Sequence, residues 1–414
     1  MNAGPENGGC CDNPHDKLVP LEIALKRGLA LASPVTEIED VSLIDSMGRI
    51  LAQDAISPLP LPPFDNSAMD GYLLCTCDLT GDGPWSLAVR GRIAAGDAGK
   101  VTPQAGTALR ILTGAIVPSG FDAVIMQEDT ELRNGAIHFS RRPKPGQHIR
   151  SLGGDAATGQ IVVAANVEIG PRQAGALAAV GMGRVPVRRK LRVAVFSTGS
   201  ELRQPGEPLE TGQIWNSNRY TLLSSLKKDW VEIVDIGVIP DDPEQLGAAL
   251  ENACNTCDMV ITTGGVSVGD EDHMPRLFEQ LGGKMSVMKV AIKPGKPVTF
   301  GTLGKTIFIG LPGNPVSAFV TWMIIGARIL EKRAGLAPPP QSRILVRASA
   351  ATRRHAGRCE FRPARYVEGG QQVELLDSSF SGRVALLSLA DGLAVIPANV
   401  AEVAKDDLLE FIPF

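Results

Sequence analysis

The sequence predicts a multidomain fold of the α/β plus β class, organised around a doubly wound, mostly parallel sheet. Three observations lead to this prediction. The chain has 414 residues, which is too many for a single hydrophobic core. From residue 191 onward, apolar strands alternate with helical patterns, as expected for a parallel sheet covered on both faces. Elsewhere, short strands alternate with turns, in keeping with 45 glycines and 30 prolines.

The expected organisation has five parts, which differ in their pattern along the chain. They are a disordered tail at 1–15, an elongated helix-containing domain at 16–55 and 150–190, a small β domain at 56–149, an α/β domain at 191–336 and a C-terminal β-barrel domain at 342–414. The proline run at Ala337–Pro340 is the expected linker before the last domain.

In the first half of the chain, Leu18–Leu31 has the apolar spacing of a helix, at Leu21, Ala24, Leu25 and Leu29. A second, alanine-rich helix in the segment RQAGALAAV is expected to pack on the first. Between the two helices, short runs such as DAVIMQED and AIHFSR alternate with Gly/Pro turns. These runs predict the strands of the small β domain.

The second half is predicted to alternate strands and helices. Asn218–Trp230 is expected to be a helix with Asn218 as its N-cap, and Asp242–Pro243 is expected to open another. Asn314–Pro315 opens a long buried helix over Val316–Leu330, which is too short for a membrane span. In the last domain, VALLSLADGLAVIP is predicted to be a strand.

The bulk composition excludes several classes of function. A net charge of −4 and a pI near 5.8 argue against a nucleic-acid-binding protein. The N-terminal residues lack the apolar stretch of a signal peptide. Seven cysteines form an odd count with no regular framework, which fits a reducing compartment. We therefore expect a cytoplasmic protein that binds neither nucleic acid nor membrane.

Two closely spaced cysteine pairs are candidates for redox or metal chemistry. Cys254 and Cys257 form a C-x-x-C, but no second pair follows at zinc spacing. They end a helical pattern rather than begin one, so a lowered thiol pKa is not expected. Cys75 and Cys77 fall at strand spacing. A structural role is the favoured interpretation, and a redox or zinc role is the alternative.

The stretch 258–276 contains a strand, a glycine turn and the start of a helix. Met259–Thr262 favours a strand, Thr263–Gly265 breaks it, and a helical pattern begins near Met274. Glycines let backbone N–H groups approach an anion closely. The acidic run Asp270–Asp272 in the same turn has two interpretations. It could cap the helix, or it could hold a divalent cation beside a bound phosphate.

Three glycine turns are expected to meet at one edge of the α/β sheet, because the carboxyl ends of parallel strands share that edge. They are Thr198-Gly199, Thr263-Gly264-Gly265 and Pro312-Gly313-Asn314. The rim of this crevice would carry four carboxylates, those of Glu201, Asp241, Asp242 and Asp272. Lys293 and Lys296 would supply positive charge beside it, with a solvated turn as the alternative.

A second candidate region is a loop stiffened by prolines 58, 60, 62 and 63. It carries four polar residues, Asp65, Asn66, Ser67 and Asp70. A stiff loop holds polar groups with little entropy loss on binding, whereas a purely structural turn would use them to bond its own backbone. Thr113 follows a strand, and Asp155 lies at a glycine turn; each alone is equally compatible with loop structure.

Six motifs, in their order and spacing, resemble the MoeA / gephyrin E-domain family. They are FDNSAMDGY, LRILTGAIVP with VIMQED, FSTGSEL, TTGGVSVGDEDH, VAIKPGKPVTFG and GLPGNPVSAF, and the resemblance runs from about residue 16 to the C-terminus. It implies a molybdopterin molybdenumtransferase with a MogA-like central domain, which inserts molybdate into adenylylated molybdopterin and releases AMP. A gephyrin-like peptide-binding scaffold and an adenylyltransferase acting on molybdopterin are the alternatives.

The resemblance further implies a homodimer of four-domain subunits, with each site between the α/β domain of one subunit and the proline loop of the other. A MogA-like molybdopterin adenylyltransferase would be a transient partner. By motif match, the catalytic residues would be Asp70, Thr113, Asp155, Glu201 and Asp272, and the Mg²⁺ ligands Glu201, Asp241 and Asp272. The cofactor-binding residues would be Thr198, Gly199, Thr263, Gly264, Gly265, Ser267, Lys289, Lys293, Lys296, Pro312, Gly313, Asn314, Pro315, Arg358 and Ser381.

The chain departs from the family pattern at three positions where members often carry an acidic residue. These are Gly154, Ser200 and Asn216. Fewer carboxylates would weaken binding of a divalent cation, because such ions are held by oxygen ligands and by charge. The other acidic residues of the pattern remain, so the resemblance still implies an active enzyme.

Overall fold

The computed structural model describes residues 18–98, 101–264, 274–338, 344–367, 369–377 and 382–414. Several predictions lie outside these ranges: the tail at 1–15, and the roles of Gly265, Ser267, Asp270, Glu271, Asp272 and Ser381. Within the described ranges, no helix is both long enough and apolar enough to cross a membrane.

The first elements are helix α1 (Leu21–Leu31) and strands β1 (Ile38–Ser42) and β2 (Ala55–Ile56). The predicted helix is confirmed, but it begins at Leu21 because Pro20 stands at the N-cap and disfavours helical backbone before it. Its buried residues are Ala24 and Gly28. A Cβ on Gly28 would lie 2.6 Å from Ile329, so glycine permits close packing of α1 on the α/β region.

The next strands are short, as predicted: β3 (Asn66–Ser67), β4 (Gly71–Leu74), β5 (Trp85–Ile93), β6 (Thr107–Ile111), β7 (Ala123–Met126), β8 (Glu131–Arg133), β9 (Ala136–Phe139) and β10 (Ile149–Arg150). Six of them form one sheet in the order β7-β4-β6-β5-β9-β8. Its two faces bury separate apolar groups, one around Ile125 and Ile137 and one around Ile93 and Ile111. Strands β3 and β10 pair with each other beside this sheet.

Strand β11 (Ile161–Val163), helix α2 (Pro171–Ala179) and strand β12 (Arg184–Arg188) then return to the first segment. β12 pairs with β1 and β11 pairs with β2. The prediction that α2 packs on α1 is wrong. Leu177 of α2 is buried with Leu51 and Val187, while Ala24 of α1 belongs to the core of the α/β region. The apolar face of α2 is thus already covered by the strands beside it.

The α/β region contains β13 (Leu191–Thr198), β14 (Leu202–Arg203), β15 (Ile214–Trp215), α3 (Ser217–Ser225), β16 (Val231–Ile239), α4 (Pro243–Thr256), β17 (Met259–Thr263), α5 (Met274–Gln280), β18 (Lys284–Lys289), β19 (Ile292–Lys293), β20 (Pro297–Leu303), β21 (Thr306–Leu311), α6 (Pro315–Thr321) and α7 (Ala327–Ala334). The sheet order is β16-β13-β17-β21-β20-β18. The first four strands are parallel, as predicted, and β20 and β18 are antiparallel.

Two helix predictions in this region need correction. The N-cap of α3 is Asn216, whose side chain accepts from the Arg219 N–H at 3.1 Å, and not Asn218. The helix ends at Ser225, before strand β16, rather than at Trp230. Asp242 does cap α4, as predicted. Asn314 occupies the N-cap of α6 without a side-chain capping bond, and a π-helical turn at Trp322–Gly326 joins α6 to α7.

The last region contains β22 (Ile344–Ala348), β23 (Thr352–Arg353), β24 (Cys359–Tyr366), β25 (Gln372–Leu375), α8 (Val384–Leu387), β26 (Gly392–Ile396), β27 (Glu402–Val403) and β28 (Leu408–Pro413). Strands β24-β25-β22-β28-β26 close into a barrel, because β24 also pairs with β26. The single strand predicted for VALLSLADGLAVIP is wrong in its first half, which is helix α8. Strand β19 of the α/β region pairs with β24 and joins the barrel to it.

Candidate functional site

The ends of three neighbouring strands meet at the carboxyl edge of the parallel sheet. Ser197 and Thr263 hydroxyls lie 2.9 Å apart. A Cβ on Gly264, which has φ of +85°, would lie 2.5 Å from the carbonyl oxygen of Thr198. One on Gly313 would lie 3.9 Å from the Cα of Gly264. The turns after β13, β17 and β21 are therefore in contact, as the sequence predicts for this edge.

Several buried polar atoms around these three turns have no hydrogen-bond partner in the described part of the chain. They are Thr198 Oγ1, Asn216 Nδ2 and Asn218 Oδ1. Buried polar groups almost always have a partner, because burying one without a hydrogen bond is costly. These atoms at one strand edge are therefore available to form hydrogen bonds with a bound molecule.

Two carboxylates stand at the rim of this edge. Asp241 accepts from the Ser200 N–H at 3.1 Å, which ties the turn after β13 to the end of β16. The Glu201 carboxylate packs against Gly199. A Cβ built on Gly199 would lie only 2.5 Å from Glu201 Oε2. Gly199 has φ of +146°, in the region that glycine tolerates. Glu201 and Asp241 are both exposed, and the bond from the Ser200 N–H to Asp241 joins the two turns that carry them.

Of the two asparagines at the start of α3, Asn216 was predicted only as a position where the family often has an acidic residue, and Asn218 was predicted only as a helix cap. Asn216 accepts from Ser197 Oγ at 3.4 Å and from Arg219, so it links the helix cap to the end of β13. Asn218 Nδ2 donates to the Gly313 carbonyl at 2.7 Å. The signal that could have revealed them is the N-S-N run that directly follows strand β15.

The proline loop forms a second cluster of predicted residues. Asp70 Oδ1 accepts from the N–H and the hydroxyl of Thr113, each at 2.7 Å. These two bonds from Thr113, together with the nearby positive charge of Arg110, hold the pKa of Asp70 below its usual value against a small opposing effect of burial. Asp70 is therefore ionised and fixed at the start of β4, on the side of the strand pair that carries Thr113.

Some polar residues of the proline loop bond their own backbone, as in a structural turn, and others do not. Ser67 donates to the Met69 carbonyl at 2.6 Å, which is local turn structure. Asp65 instead accepts from the Leu152 N–H at 2.7 Å, and the Asp155 N–H donates to the Leu61 carbonyl at 2.9 Å. Asp155 itself is exposed. The proline loop is thus joined to the Asp155 segment by the Asp65 side chain and by backbone hydrogen bonds, while the Asp155 carboxylate stays on the surface.

Within the described residues, no hydrogen bond or ion pair connects the Asp70–Thr113 cluster with the strand-edge cluster of Thr198, Gly264 and Gly313. The two belong to different sheets, separated along the chain by β11, α2 and β12. The structure therefore brings the predicted residues together in two groups of one chain.

The predicted lysines lie at the junction between the α/β region and the barrel. Lys293 Nζ is 3.5 Å from Glu360 Oε1. Arg354 and Arg362 each lie 3.3 Å from the same buried carboxylate. Three cations around one carboxylate leave an excess of positive charge among these four residues.

The turn of the two lysines also packs on α6. A Cβ on Gly295 would clash with the Thr321 hydroxyl, so the close packing of this turn on α6 requires glycine at position 295. Arg358, predicted from the barrel, has its carbonyl bonded by Arg354 at 2.7 Å. Lys289 is half-buried at the end of β18, which pairs with Pro297.

A cavity of about 880 Å³ lies at the opposite edge of the sheet and includes Arg189, Cys254, Asp258 and Thr306. It faces the amino ends of β13, β17 and β21, whereas ligands of parallel sheets bind outside the carboxyl ends. The Arg189–Asp258 pair already satisfies its charges, with two hydrogen bonds at 2.7 and 2.9 Å. The carboxyl edge therefore remains the candidate functional site.

The cysteine predictions have a divided outcome. Burial, with the neighbouring Cys257, raises the pKa of Cys254 to about 12, and burial also raises that of Cys257. The expectation that their thiol pKa is not lowered is confirmed. Cys75 and Cys77, however, are paired as a disulfide, which was not predicted from a cysteine count that fits a reducing compartment.

Three family models match successive parts of the chain. They are "MoeA N-terminal region (domain I and II)" at residues 19–181, "Probable molybdopterin binding domain" at 194–332 and "MoeA C-terminal region (domain IV)" at 346–414. Together they include the proline loop, the three strand-end turns and the barrel.

Curated relatives match over most of their length. The molybdopterin molybdenumtransferase of Haemophilus influenzae is 40% identical, over 84% of this chain and 86% of its own. That of Nostoc sp. is 36% identical, over 91% and 89%. The solved structure of a molybdopterin biosynthesis MoeA protein from Pyrococcus horikoshii is similar with a TM-score of 0.82 at 29% identity, over 96% of this chain and 100% of that one.

Proposed function

The chain belongs to the MoeA family of molybdopterin molybdenumtransferases, and from this premise we propose how its residues serve the reaction. It is a transferase of molybdenum cofactor biosynthesis that inserts molybdenum into molybdopterin. A peptide-binding scaffold and an adenylyltransferase are not favoured, because the curated relatives that match most of the chain are named molybdenumtransferases.

We propose that the substrate is adenylylated molybdopterin, which reacts with molybdate and releases AMP. The observation that carries this proposal is the contact between the three strand-end turns, with unpartnered buried polar atoms on Thr198 and Asn218. Backbone N–H groups in glycine turns suit a phosphate, and the buried side-chain atoms suit the polar edge of a pterin. Gly264, Gly313 and Pro312 would lie against the bound molecule.

We propose that Mg²⁺ assists this reaction. Glu201 and Asp241 offer exposed carboxylate oxygens on one turn system, which is the donor chemistry that Mg²⁺ prefers, and Asp272 would complete the predicted set. Mg²⁺ would reduce the negative charge of the diphosphate link and so ease the departure of AMP. The Ser200 N–H holds Asp241 in place, so the rim carboxylate is oriented by the turn itself.

The lysine turn would serve the anionic substrates. Lys293 shares Glu360 with Arg354 and Arg362, so these residues offer more positive than negative charge at the barrel junction. Such an excess favours an anion, either the molybdopterin phosphate or molybdate. Lys296 is exposed beside it, and Lys289 and Arg358 would extend the positive surface.

We also propose a homodimer in the cytoplasm, with a molybdopterin adenylyltransferase as transient partner. The separation of the two clusters supports the dimer, since Asp70 and Asp155 of one subunit could complete the strand-edge site of another. In that arrangement the ionised Asp70, held by Thr113, would face the reacting diphosphate link.

The test is release of AMP by the purified protein from adenylylated molybdopterin, with molybdate and Mg²⁺. We expect release that stops on chelation of Mg²⁺ and that falls about 100-fold in Glu201→Gln and Asp241→Asn. Glu244→Gln, an exposed acid in the first turn of α4, is the matched control and should retain activity. Unchanged release in both rim variants would contradict the assignment of the metal ligands.

A further inference from the structure

The turn that follows β4 carries two cysteines for which the proposed reaction has no use. Cys75 and Cys77 are separated by one residue, and their Cα atoms lie 5.3 Å apart with the sulfurs paired. This Cα separation is in the range that disulfides require. Cys77 is exposed and Cys75 is half-buried, so thiol reagents in solution can reach the pair.

Hydrogen bonds hold this turn independently of the sulfurs. Thr76, between the cysteines, donates its N–H and its hydroxyl to the two carboxylate oxygens of Asp122, at 2.7 and 2.5 Å. Arg142 donates to the Thr76 carbonyl at 3.3 Å, and Asp78 accepts from the Gly106 N–H at 2.9 Å. The backbone that carries both cysteines is therefore fixed whether or not the sulfurs are bonded.

A disulfide across this turn contributes little to folding. In the chain-entropy account, a disulfide stabilises by closing a loop in the unfolded chain, and the effect grows with the length of that loop. Here the sequence separation is only 2. Opening the bond should therefore cost little stability. Closing it should also be easy, because the anchored turn already holds the two side chains together.

We propose that Cys75 and Cys77 are a reversible dithiol–disulfide pair, a site of redox modification separate from the molybdopterin site. With oxidised glutathione, the thiolate of one cysteine attacks a glutathione sulfur and releases one reduced glutathione. The other cysteine, as a thiolate, then displaces the second glutathione, so that two thiols become one disulfide. Excess reduced glutathione reverses both steps. Strand β4 runs from directly after Asp70 to directly before Cys75, so the pair lies at the far end of that strand.

The experiment places the purified full chain in mixtures of reduced and oxidised glutathione, followed by acid quenching, alkylation and peptide mass spectrometry. We expect the peptide with Cys75 and Cys77 to lose two hydrogens in oxidising mixtures and to regain them in reducing ones. Cys77→Ser should convert this outcome into a glutathione adduct on Cys75. Cys359→Ser, the matched control, should leave the pair unchanged.

Two results would overturn the proposal: alkylation of both cysteines in every mixture, or a disulfide that does not reopen in excess reduced glutathione. A third readout distinguishes a reversible pair from a structural staple. The oxidised and reduced forms should differ in Tm by less than about 2 °C, and a difference of about 10 °C would contradict the proposal.

A separate variant tests whether the Thr76–Asp122 hydrogen bonds favour formation of the disulfide. Asp122→Ala removes both acceptors of Thr76, and we expect the disulfide fraction at a fixed glutathione ratio to fall roughly three-fold or more, since the cysteines are then held less closely. Asp129→Ala, on the exposed turn after β7, is the control. Equal fractions in Asp122→Ala and the unchanged protein would refute the anchoring argument.

Discussion

At the scale of single residues, hydrogen bonding decides which carboxylate side chains are held in a fixed position. Asp70 accepts two bonds from Thr113 and has a lowered pKa, while Asp155 is exposed at the surface. The difference follows from position. Asp70 directly precedes β4, whose partner β6 ends just before Thr113, so the pairing of two strands brings the two side chains together. The Asp155 segment meets the proline loop through backbone bonds, such as that from the Asp155 N–H to the Leu61 carbonyl, and through the Asp65 side chain.

We predict that Asp70 contributes to stability in a pH-dependent way. Its pKa is lowered in the folded chain, so the contribution is fully present above the ordinary value of 3.8 and is lost as pH falls through the lowered value. Urea unfolding should show Asp70→Ala to be less stable than the parent at pH 7, with a difference that shrinks in acid. Asp82→Ala, an exposed loop acid, is the control. A difference independent of pH would contradict the prediction.

At the scale of elements, side chains at strand and helix ends lock neighbouring segments together. Asn218 on α3 holds the turn after β21, and Asp258 holds the start of β17. Burial would raise the pKa of Asp258, but the Arg189 side chain, the Arg192 N–H and the charge of Arg333 outweigh it, so the pKa is lowered. Asp258 thus links the sheet to the segment before β13, through Arg189, and to α7, through Arg333.

We predict that Asn218→Ala weakens molybdopterin binding about ten-fold while the fold is retained. The variant loses the 2.7 Å bond to the Gly313 carbonyl, and a hydrogen bond of this kind is worth about 1 kcal/mol or somewhat more. Titration of molybdopterin against the variant, with circular dichroism as a check of folding, measures the loss. Ser224→Ala, an exposed change on the same helix, should bind normally. Equal affinities would exclude Asn218 from the site.

We predict that Asp258→Ala lowers the free energy of unfolding by about 2–3 kcal/mol, because it leaves the Arg189 guanidinium without its bidentate partner. Glu232→Ala is the matched control. It breaks the exposed Arg192–Glu232 pair at 3.2 Å, which should cost less than about 1 kcal/mol. Denaturant unfolding measures both. Similar losses in the two variants would show that burial does not distinguish these pairs.

At the scale of the whole molecule, the proposed site depends on how the domains are combined. The strand-edge cluster and the Asp70–Thr113 cluster lie in different sheets, and the lysine turn lies where β19 joins the barrel. A single chain therefore carries the groups proposed for the reaction on three parts of its structure. A second copy that brings one chain's proline loop to the other's strand edge would complete the site, which is why the dimer belongs to the proposal.

We predict that two inactive variants, Asp70→Ala and Lys293→Ala, recover activity when they are mixed and allowed to exchange subunits. If each site uses Asp70 of one chain and Lys293 of the other, random mixing restores about a quarter of the sites. AMP release before and after exchange measures the recovery, and light scattering gives the oligomeric state. Sites built within one chain would recover nothing, and a monomer would equally contradict the dimer.

Local pattern in the sequence was sufficient for the alternation of strands and helices from Leu191, the cap at Asp242 and the meeting of the three strand-end turns. These features depend on neighbours in the chain and on a general rule for parallel sheets. The choice of Asn216 over Asn218 as cap was not predictable in the same way. It depends on where β15 ends and on the bond from Asn218 to a turn 95 positions away.

The sequence by itself thus determined the class of fold, the family and the residues that could carry the chemistry, because each is written in short motifs. Only the tertiary structure decided that α2 packs on its own strands, that Lys293 shares Glu360 with two arginines and that Cys75 and Cys77 are paired. These outcomes depend on which distant surfaces come into contact and on the side-chain geometry of a turn. Residue type and spacing specify neither.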